Sequence, residues 1–252
     1  MKHLREIDGL PPAERLIAHR GWPDRYPENS LEGIAAVLEA GARAVEFDVQ
    51  LTADGQPVVI HDDLLKRLIG CSGSVTQSTR RSLAGLRIKG PNQTWAAIPD
   101  LSAVLETVAG FPQAQAFIEI KAASIRRFGR EKTLAAVMEC LHRFTCPHVL
   151  LSFDARIAAL ARARGVTRIG WVFKPWTSIA RITACWLKPD YLFVRASRIP
   201  PWPKPFWKGR WKWVIYGVDS PPGARRLMER GAALVETDDW LAWHRALLDR
   251  PG

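Results

Sequence analysis

The chain has 252 residues, 47% of them hydrophobic, and a formal net charge of +11. That length supports a sizeable core in one large α/β domain or two small ones, and no run of about eighteen apolar residues is present to span a membrane. A basic balance of this size favours anionic partners such as phosphate esters, nucleic acid or an anionic membrane surface, and says nothing about fold.

The opening stretch "MKHLREIDGLPPAERLIAHRG" has no apolar segment of signal-peptide length. Cys71, Cys140, Cys146 and Cys185 show no Cys-x-x-Cys spacing. Reduced thiols and a cytoplasmic location are therefore expected. "RLIAH" reads as a first strand, and "SLEGIAAVLEAG" as a helix begun by Ser30 and stopped at Gly41. "AVEFDVQL" and "PVVIHD" read as a hairpin closed by Asp54-Gly55. Residues 66–98 are polar, rich in Gly, Ser and Thr, and weakly periodic, which predicts an insertion or long loop near the substrate mouth. "LSAVLETVAGF", with Asp100 as its cap, is helical, "AFIEIK" a strand, "REKTLAAVMECLHRF" a helix and "HVLLSF" a strand. Then come the helix "DARIAALARARG", the strand "RIGWVF", the short helix "SIARITACWL", and the strands "DYLFVR" and "WKWVIYGV". The helix "PPGARRLMERG", the strand "AALVET" and the helix "DDWLAWHRALLD" end the chain.

This alternation of strand and helix argues for a parallel sheet with helices outside. A two-residue turn cannot make a parallel crossover, so the hairpin's return strand is not a ring member. Eight units remain, and the expected fold is a (β/α)₈ TIM barrel forming a single domain over 1–252. The competing doubly wound sheet lacks a Gly-rich phosphate loop after its first strand.

A barrel carries its site at the C-terminal ends of its strands. His19 and Arg20 end the first strand, Glu46 and Asp48 lie toward the end of the second, and Glu119 and Lys121 end the next ring strand. Side chains alternate along a strand, so Glu46 and Asp48 share a face. Counting across a two-residue turn opposes Asp48 with His61 on that same face, unless Pro57 shifts the register by one. Glu46, Asp48 and Glu119 make an oxygen-rich site for a hard divalent cation, Mg²⁺ or Ca²⁺. Arg20 and Lys121 suit the remaining phosphate oxygens. His19 and His61 suit the two proton transfers that cleaving a phosphodiester requires, His19 as base and His61 as acid.

The segments "AHRGWPDRYPENSLEG", "EFDVQLTADGQPVVIHDD" and "FIEIK" resemble the glycerophosphodiester phosphodiesterase family, whose pattern runs His-Arg-Gly, Pro-Glu-Asn, Glu-x-Asp, His-Asp and Glu-x-Lys. The match is dense over 17–63 and continues weakly at Ser152–Phe153 and Glu236–Asp238. The resemblance implies a (β/α)₈ barrel that uses a divalent metal to hydrolyse glycerophosphodiesters to glycerol 3-phosphate and an alcohol. It implies His19 and His61 as the acid/base pair, Glu46, Asp48 and Glu119 as metal ligands, and Arg20 and Lys121 as phosphate contacts. Glu28 and Asn29 match the Pro-Glu-Asn turn, where Glu28 is expected to hold the loop with Asn29, the alternative being contact with the metal shell or a substrate hydroxyl. The sequence departs from the family at Tyr216, Gly217, Val218 and Asp219, where Trp-Thr-Val-Asn is common. It departs again at Thr237, Asp238, Asp239 and Trp240, where the family has Thr-Asp-x-Pro. Tyr216 is expected as an aromatic substrate wall, and these departures bear on which alcohol is preferred.

"RIPPWPKPFWKGRWKW", Arg198 to Trp213, holds four tryptophans and five cations without an acid, and its prolines forbid a helix. Two uses compete: covering the barrel side left bare by a missing helix, or peripheral contact with an anionic membrane. Nucleic-acid stacking is the less favoured third. Alternative functions are a lysophospholipase D-like activity on lipid phosphodiesters at a membrane surface and a noncatalytic module that binds anionic lipid or nucleic acid. The histidine pair argues against the module.

Overall fold

The computed structural model describes residues 12–201 and 204–248. The first eleven residues of the opening stretch, and Trp202 and Pro203 of the Trp-rich segment, lie outside the described residues. The elements follow the expected rhythm. They are β1 (Leu16–His19), α1 (Leu31–Glu39), β2 (Ala44–Leu51), β3 (Pro57–Val59), α2 (Lys66–Ile69), α3 (Arg80–Leu83), β4 (Arg87–Lys89), β5 (Trp95–Ala97) and α4 (Leu101–Ala109). Next come β6 (Gln115–Ile120), α5 (Ala122–Phe128), α6 (Arg130–Leu141), β7 (His148–Ser152), α7 (Ala155–Ala163), β8 (Ile169–Phe173) and α8 (Ser178–Leu187). The chain continues through β9 (Tyr191–Arg195), β10 (Lys212–Tyr216), α9 (Pro221–Glu229), β11 (Leu234–Thr237) and α10 (Trp240–Leu248).

Eight strands pair in parallel in the order β1-β11-β10-β9-β8-β7-β6-β2, and the β1–β2 pairing closes the ring. This is the (β/α)₈ barrel. Its lower interior is apolar: Ile17, Phe117, Val149, Val172, Phe193 and Val214 meet there. Phe117 sets its edge against Tyr191 and Phe193, with ring centroids 5.1 and 5.9 Å away. The alternate residues face outward onto the helices and form the larger core. Two residues further along the same strands, the inward positions become His19, Glu46, Glu119 and Glu236, so the period-two alternation that builds the core also delivers the ionic groups to the C-terminal mouth.

The hairpin departs from the expected register. Val49 opposes Val59, Gln50 opposes Val58 and Leu51 opposes Pro57, so Asp48 meets Ile60, whose N–H it accepts at 2.9 Å, and not His61. The cause is the turn: Thr52 closes onto Gln56, leaving three loop residues, with Gly55 in the left-handed region at φ 80°. A left-handed residue at the end of a type I turn is the usual three-residue solution.

Residues 66–98 are more than a loop. Leu65, Leu68, Val75, Leu83, Ile88 and Ile98 pack with Val58 and Ile60 into a separate small core, beside the two-stranded β4–β5 sheet. Asp100 does precede α4, but its carboxylate makes no cap hydrogen bond and is taken by the Arg80 guanidinium instead.

Between β9 and β10 no α-helix forms among the described residues, as the prolines require. Phe206, Trp211 and Trp213 are buried there, Trp213 stacks on Trp176 at 5.2 Å, and Trp207 stacks on Phe173 at 5.2 Å. These rings cover the side where the helix is missing, while Lys204, Lys208 and Arg210 remain exposed.

Truncating Phe117, fully buried at the centre of the barrel, is expected to destabilise the fold by about 3–5 kcal/mol. Urea unfolding of Phe117→Ala checks this, and a loss below about 1 kcal/mol would contradict a packed interior.

Candidate active site

Strand β1 ends at His19, and the backbone then turns through two left-handed residues, Arg20 at φ 55° and Gly21 at φ 82°. A Cβ on Gly21 would lie 2.9 Å from the backbone of Gly33 and Ile34, so only glycine lets the loop pass this close to the start of α1. The loop is fastened by Arg20 N–H donating to Glu46 O (2.9 Å) and Asn29 N–H donating to Arg20 O (2.9 Å). Asn29, fully buried at φ 61°, donates from Nδ2 to Asp48 Oδ2 at 2.9 Å and accepts the Asp48 backbone N–H at 3.0 Å. Glu28 accepts from Arg20 Nη1 (3.0 Å) and from both terminal nitrogens of Arg67 (2.8 and 2.9 Å). The Pro-Glu-Asn turn therefore does what was expected of it: it holds the loop, with Asn29 gripping β2 and Glu28 gripping Arg20.

Glu46, Asp48 and Glu119 bring carboxylate oxygens within 4.8 Å of one another. The pairing of Asp48 with Glu119 across β2 and β6 sets their level. Lys121 Nζ lies 3.1 Å from Asp48 Oδ1 and 2.8 Å from Glu119 Oε1, and Arg20 Nε lies 3.2 Å from Asp48 Oδ2. Burial works against ionising Asp48, but Lys121, Arg20 and the Asn29 hydrogen bond outweigh it and hold this carboxyl well below its usual range. Glu46 has only Arg20 in its support. Burial first, then the charges of Asp48, Glu236 and Glu119, push it well up, and its Oε2 finds no hydrogen-bond partner. Burial also raises Glu119, with Lys121 opposing. A set of hard oxygens that includes the buried, unpartnered Glu46 Oε2 fits a divalent cation, which would remove the repulsion that the cluster otherwise carries.

Both histidines are backed by an aspartate. His19 Nδ1 lies 2.7 Å from Asp238 Oδ1, and its Nε2 is 3.9 Å from Glu46 Oε2. His61 Nδ1 lies 2.5 Å from Asp62 Oδ1, and Asp62 is in turn bound by Arg67. Holding Nδ1 fixes the ring and leaves Nε2 to face the pocket. Burial pulls His19 down, but the Asp238 hydrogen bond and the charge of Glu236 raise it above its ordinary value. Burial lowers His61, with Lys121 and Arg20 adding to that effect against the pull of Asp48 and Asp62. Both histidines, Arg20, Glu46, Glu119, Lys121 and Asp238 line one pocket of about 500 Å³, together with Tyr216, Phe153, Lys174 and Arg195.

The structure thus brings together His19, Arg20, Glu46, Asp48, His61, Glu119, Lys121 and Tyr216 at one mouth. Sequence reasoning missed four partners. Asp62 had a signal, since it directly follows His61. Asp238 and Glu236 lie in the stretch that the resemblance matched weakly, but nothing local marked Asp238 as the partner of His19, 219 positions away, or Glu236 as a fourth buried carboxyl, pushed up to about 7 by burial. Arg67, from the 66–98 region, was also missed.

A model of the Glycerophosphoryl diester phosphodiesterase family matches residues 19–180. The glycerophosphodiester phosphodiesterase of Caldanaerobacter subterraneus subsp. tengcongensis is 29% identical over 89% of this chain and 93% of its own length. The uncharacterized protein YqiK of Bacillus subtilis is 30% identical over 89% of this chain and 94% of its own. Among solved structures, an Oleispira antarctica phosphodiesterase in complex with the product sn-glycerol-3-phosphate superposes with a TM-score of 0.80 at 23% identity, over 94% of this chain and 97% of that one. At that identity the likeness concerns the fold.

Removing the Asn29 side chain leaves the Asp48 carboxylate and backbone N–H short of partners inside the protein. Asn29→Ala is expected to destabilise by about 1–3 kcal/mol. An unchanged urea midpoint would show that the loop is held by other means.

Proposed function

This chain belongs to the glycerophosphoryl diester phosphodiesterase family, and from that premise we propose that it hydrolyses glycerophosphodiesters to glycerol 3-phosphate and an alcohol. The observation that carries the proposal is a single pocket with two aspartate-backed histidines beside three converging carboxylates.

Glu46, Asp48 and Glu119 would hold one divalent cation, Mg²⁺ or Ca²⁺. When bound, such an ion polarises a phosphoryl oxygen and neutralises charge building on phosphorus. The remaining work falls to the chain's own residues. Arg20 and Lys121, now paired with Asp48 and Glu119, are within reach to bind the phosphate, Arg20 as a fork and Lys121 as a point charge. His19 takes the proton of the attacking hydroxyl, and Asp238 at its Nδ1 stabilises the imidazolium that results. His61 gives a proton to the leaving alkoxide, and the nearby cations Lys121 and Arg20 favour its giving that proton up. Tyr216 forms a wall of the pocket, its hydroxyl pushed up to about 12 by burial and by Glu236 and therefore neutral.

The lysophospholipase D reading draws less support, because Trp211 and Trp213 of the Trp-rich segment are buried and offer a lipid tail no surface. The proposed setting is the cytoplasm, where the unpaired thiols Cys71, Cys140, Cys146 and Cys185 would stay reduced.

Turnover of glycerophosphocholine, glycerophosphoethanolamine and glycerophosphoinositol is expected to cease in excess chelator and return with Mg²⁺ or Ca²⁺. Full activity in chelator would refute the metal assignment. His19→Ala and His61→Ala should each lower kcat by about 10²–10⁴-fold while leaving the fold intact. A substrate with a nitrophenol-like leaving group, which departs without protonation, should rescue His61→Ala and leave His19→Ala slow. Rescue of His19→Ala alone would exchange the two roles.

A further inference from the structure

Helix α8 turns an apolar stripe to solvent. Ala180, Ala184 and Leu187 are its buried side, which seats it on the barrel. On the opposite side stand Ile179, Ile182 and Trp186, exposed by 76%, 68% and 64%. Their spacing of three and four residues aligns them on one helical face. A helix that only covers a barrel carries polar residues there. Elsewhere among the described residues, large exposed apolar side chains stand scattered, at Leu64, Trp95 and Leu248. Such isolated exposure is ordinary, whereas an aligned group of three is not.

The charge around the stripe is one-sided. From Ala155 to Pro189 the chain contains no acid, but it contains Arg156, Arg162, Arg164, Arg168, Lys174, Arg181 and Lys188. Arg162 and Arg164 are committed to Asp190 and Glu131. Arg181 and Lys188, on the helix and at its end, are exposed beside the stripe. Trp176, two residues before the helix, stacks on Trp213 and contacts Trp207, so the 204–213 segment lies against the same region. That segment contributes the exposed Lys204, Lys208 and Arg210, while Phe206, Trp211 and Trp213 are buried.

We propose that α8 docks the protein on an anionic phospholipid bilayer, with Ile179, Ile182 and Trp186 entering the interface and Arg181 and Lys188 meeting the headgroups. An amphipathic helix with a cationic border lies in the plane of such a surface, and its tryptophan sits at headgroup level. A second copy of the chain is the poorer occupant, since two such faces would bring like charges together. The apolar contact proposed belongs to α8, and the described part of the Trp-rich segment adds the charge of Lys204, Lys208 and Arg210. This docking does not depend on the chemistry of the pocket.

The test is sedimentation with vesicles of phosphatidylcholine alone or mixed with phosphatidylglycerol. The wild-type protein should pellet with the mixed vesicles at low salt and be released at 1 M salt, where the Debye length is about 3 Å. The triple variant Ile179→Ser, Ile182→Ser, Trp186→Ser should partition on the order of a hundredfold less, with wild-type melting and unchanged turnover of a soluble diester. Arg181→Gln with Lys188→Gln should weaken binding by roughly tenfold or more. This second variant decides the matter should the first fail to fold. Failure of the wild-type protein to bind, or undiminished binding by both variants, would overturn the proposal. So would an α8-dependent dimer in sedimentation velocity without vesicles, which would assign the face to a second copy.

Discussion

Four buried carboxyls at one end of a barrel are the constraint around which this molecule is built. Glu46, Asp48, Glu119 and Glu236 all lie at the C-terminal mouth and are all nearly inaccessible. Like charges this close, removed from water, cannot all ionise without countercharge. Lys121 and Arg20 supply part of it, and they supply it unevenly: Asp48 is held low while Glu46 is driven up. The asymmetry leaves a site with a deficit of positive charge, shaped by oxygen atoms, beside two histidines. A divalent cation would supply that charge.

The surrounding architecture keeps that cluster in place. Asn29, left-handed and buried, ties the β1 loop to Asp48 through two hydrogen bonds. Arg67 reaches from the 66–98 region to Glu28 and Asp62, so it supports both the Arg20 loop and His61. The small apolar core beneath Arg67 thus bears on the site as well as on stability. On the other side, Gly217 at φ 63° passes close beneath Arg195, whose side chain lines the pocket opposite the histidines.

Much of this was legible in the sequence because strand alternation is local. Glu46 and Asp48 share a face whatever the tertiary structure, and the barrel rule puts strand ends at the mouth, so His19, Glu119 and Lys121 could be gathered without coordinates. The hairpin register was read one residue out, because Asp-Gly served a three-residue loop with Gly55 at its end and not a two-residue turn. Asp238 was invisible as the partner of His19 because nothing local links positions so far apart. The order in 66–98 was hidden because its elements are three or four residues long, too short to show a period. Charge and tryptophan content suggested a membrane contact at 198–213. Burial, which composition cannot reveal, shows Phe206, Trp211 and Trp213 to be interior packing, and an exposed apolar stripe lies on α8 instead.

The claim that the rest depends on is that the carboxylate cluster is completed by a divalent cation. Thermal unfolding followed against Mg²⁺ or Ca²⁺ concentration tests it without reference to catalysis, because a ligand that binds only the native state raises its stability with concentration. The wild-type Tm should climb as cation is added, and Glu46→Gln should flatten the rise. A Tm indifferent to both cations, or a Glu46→Gln variant that responds as the wild type does, would contradict the account.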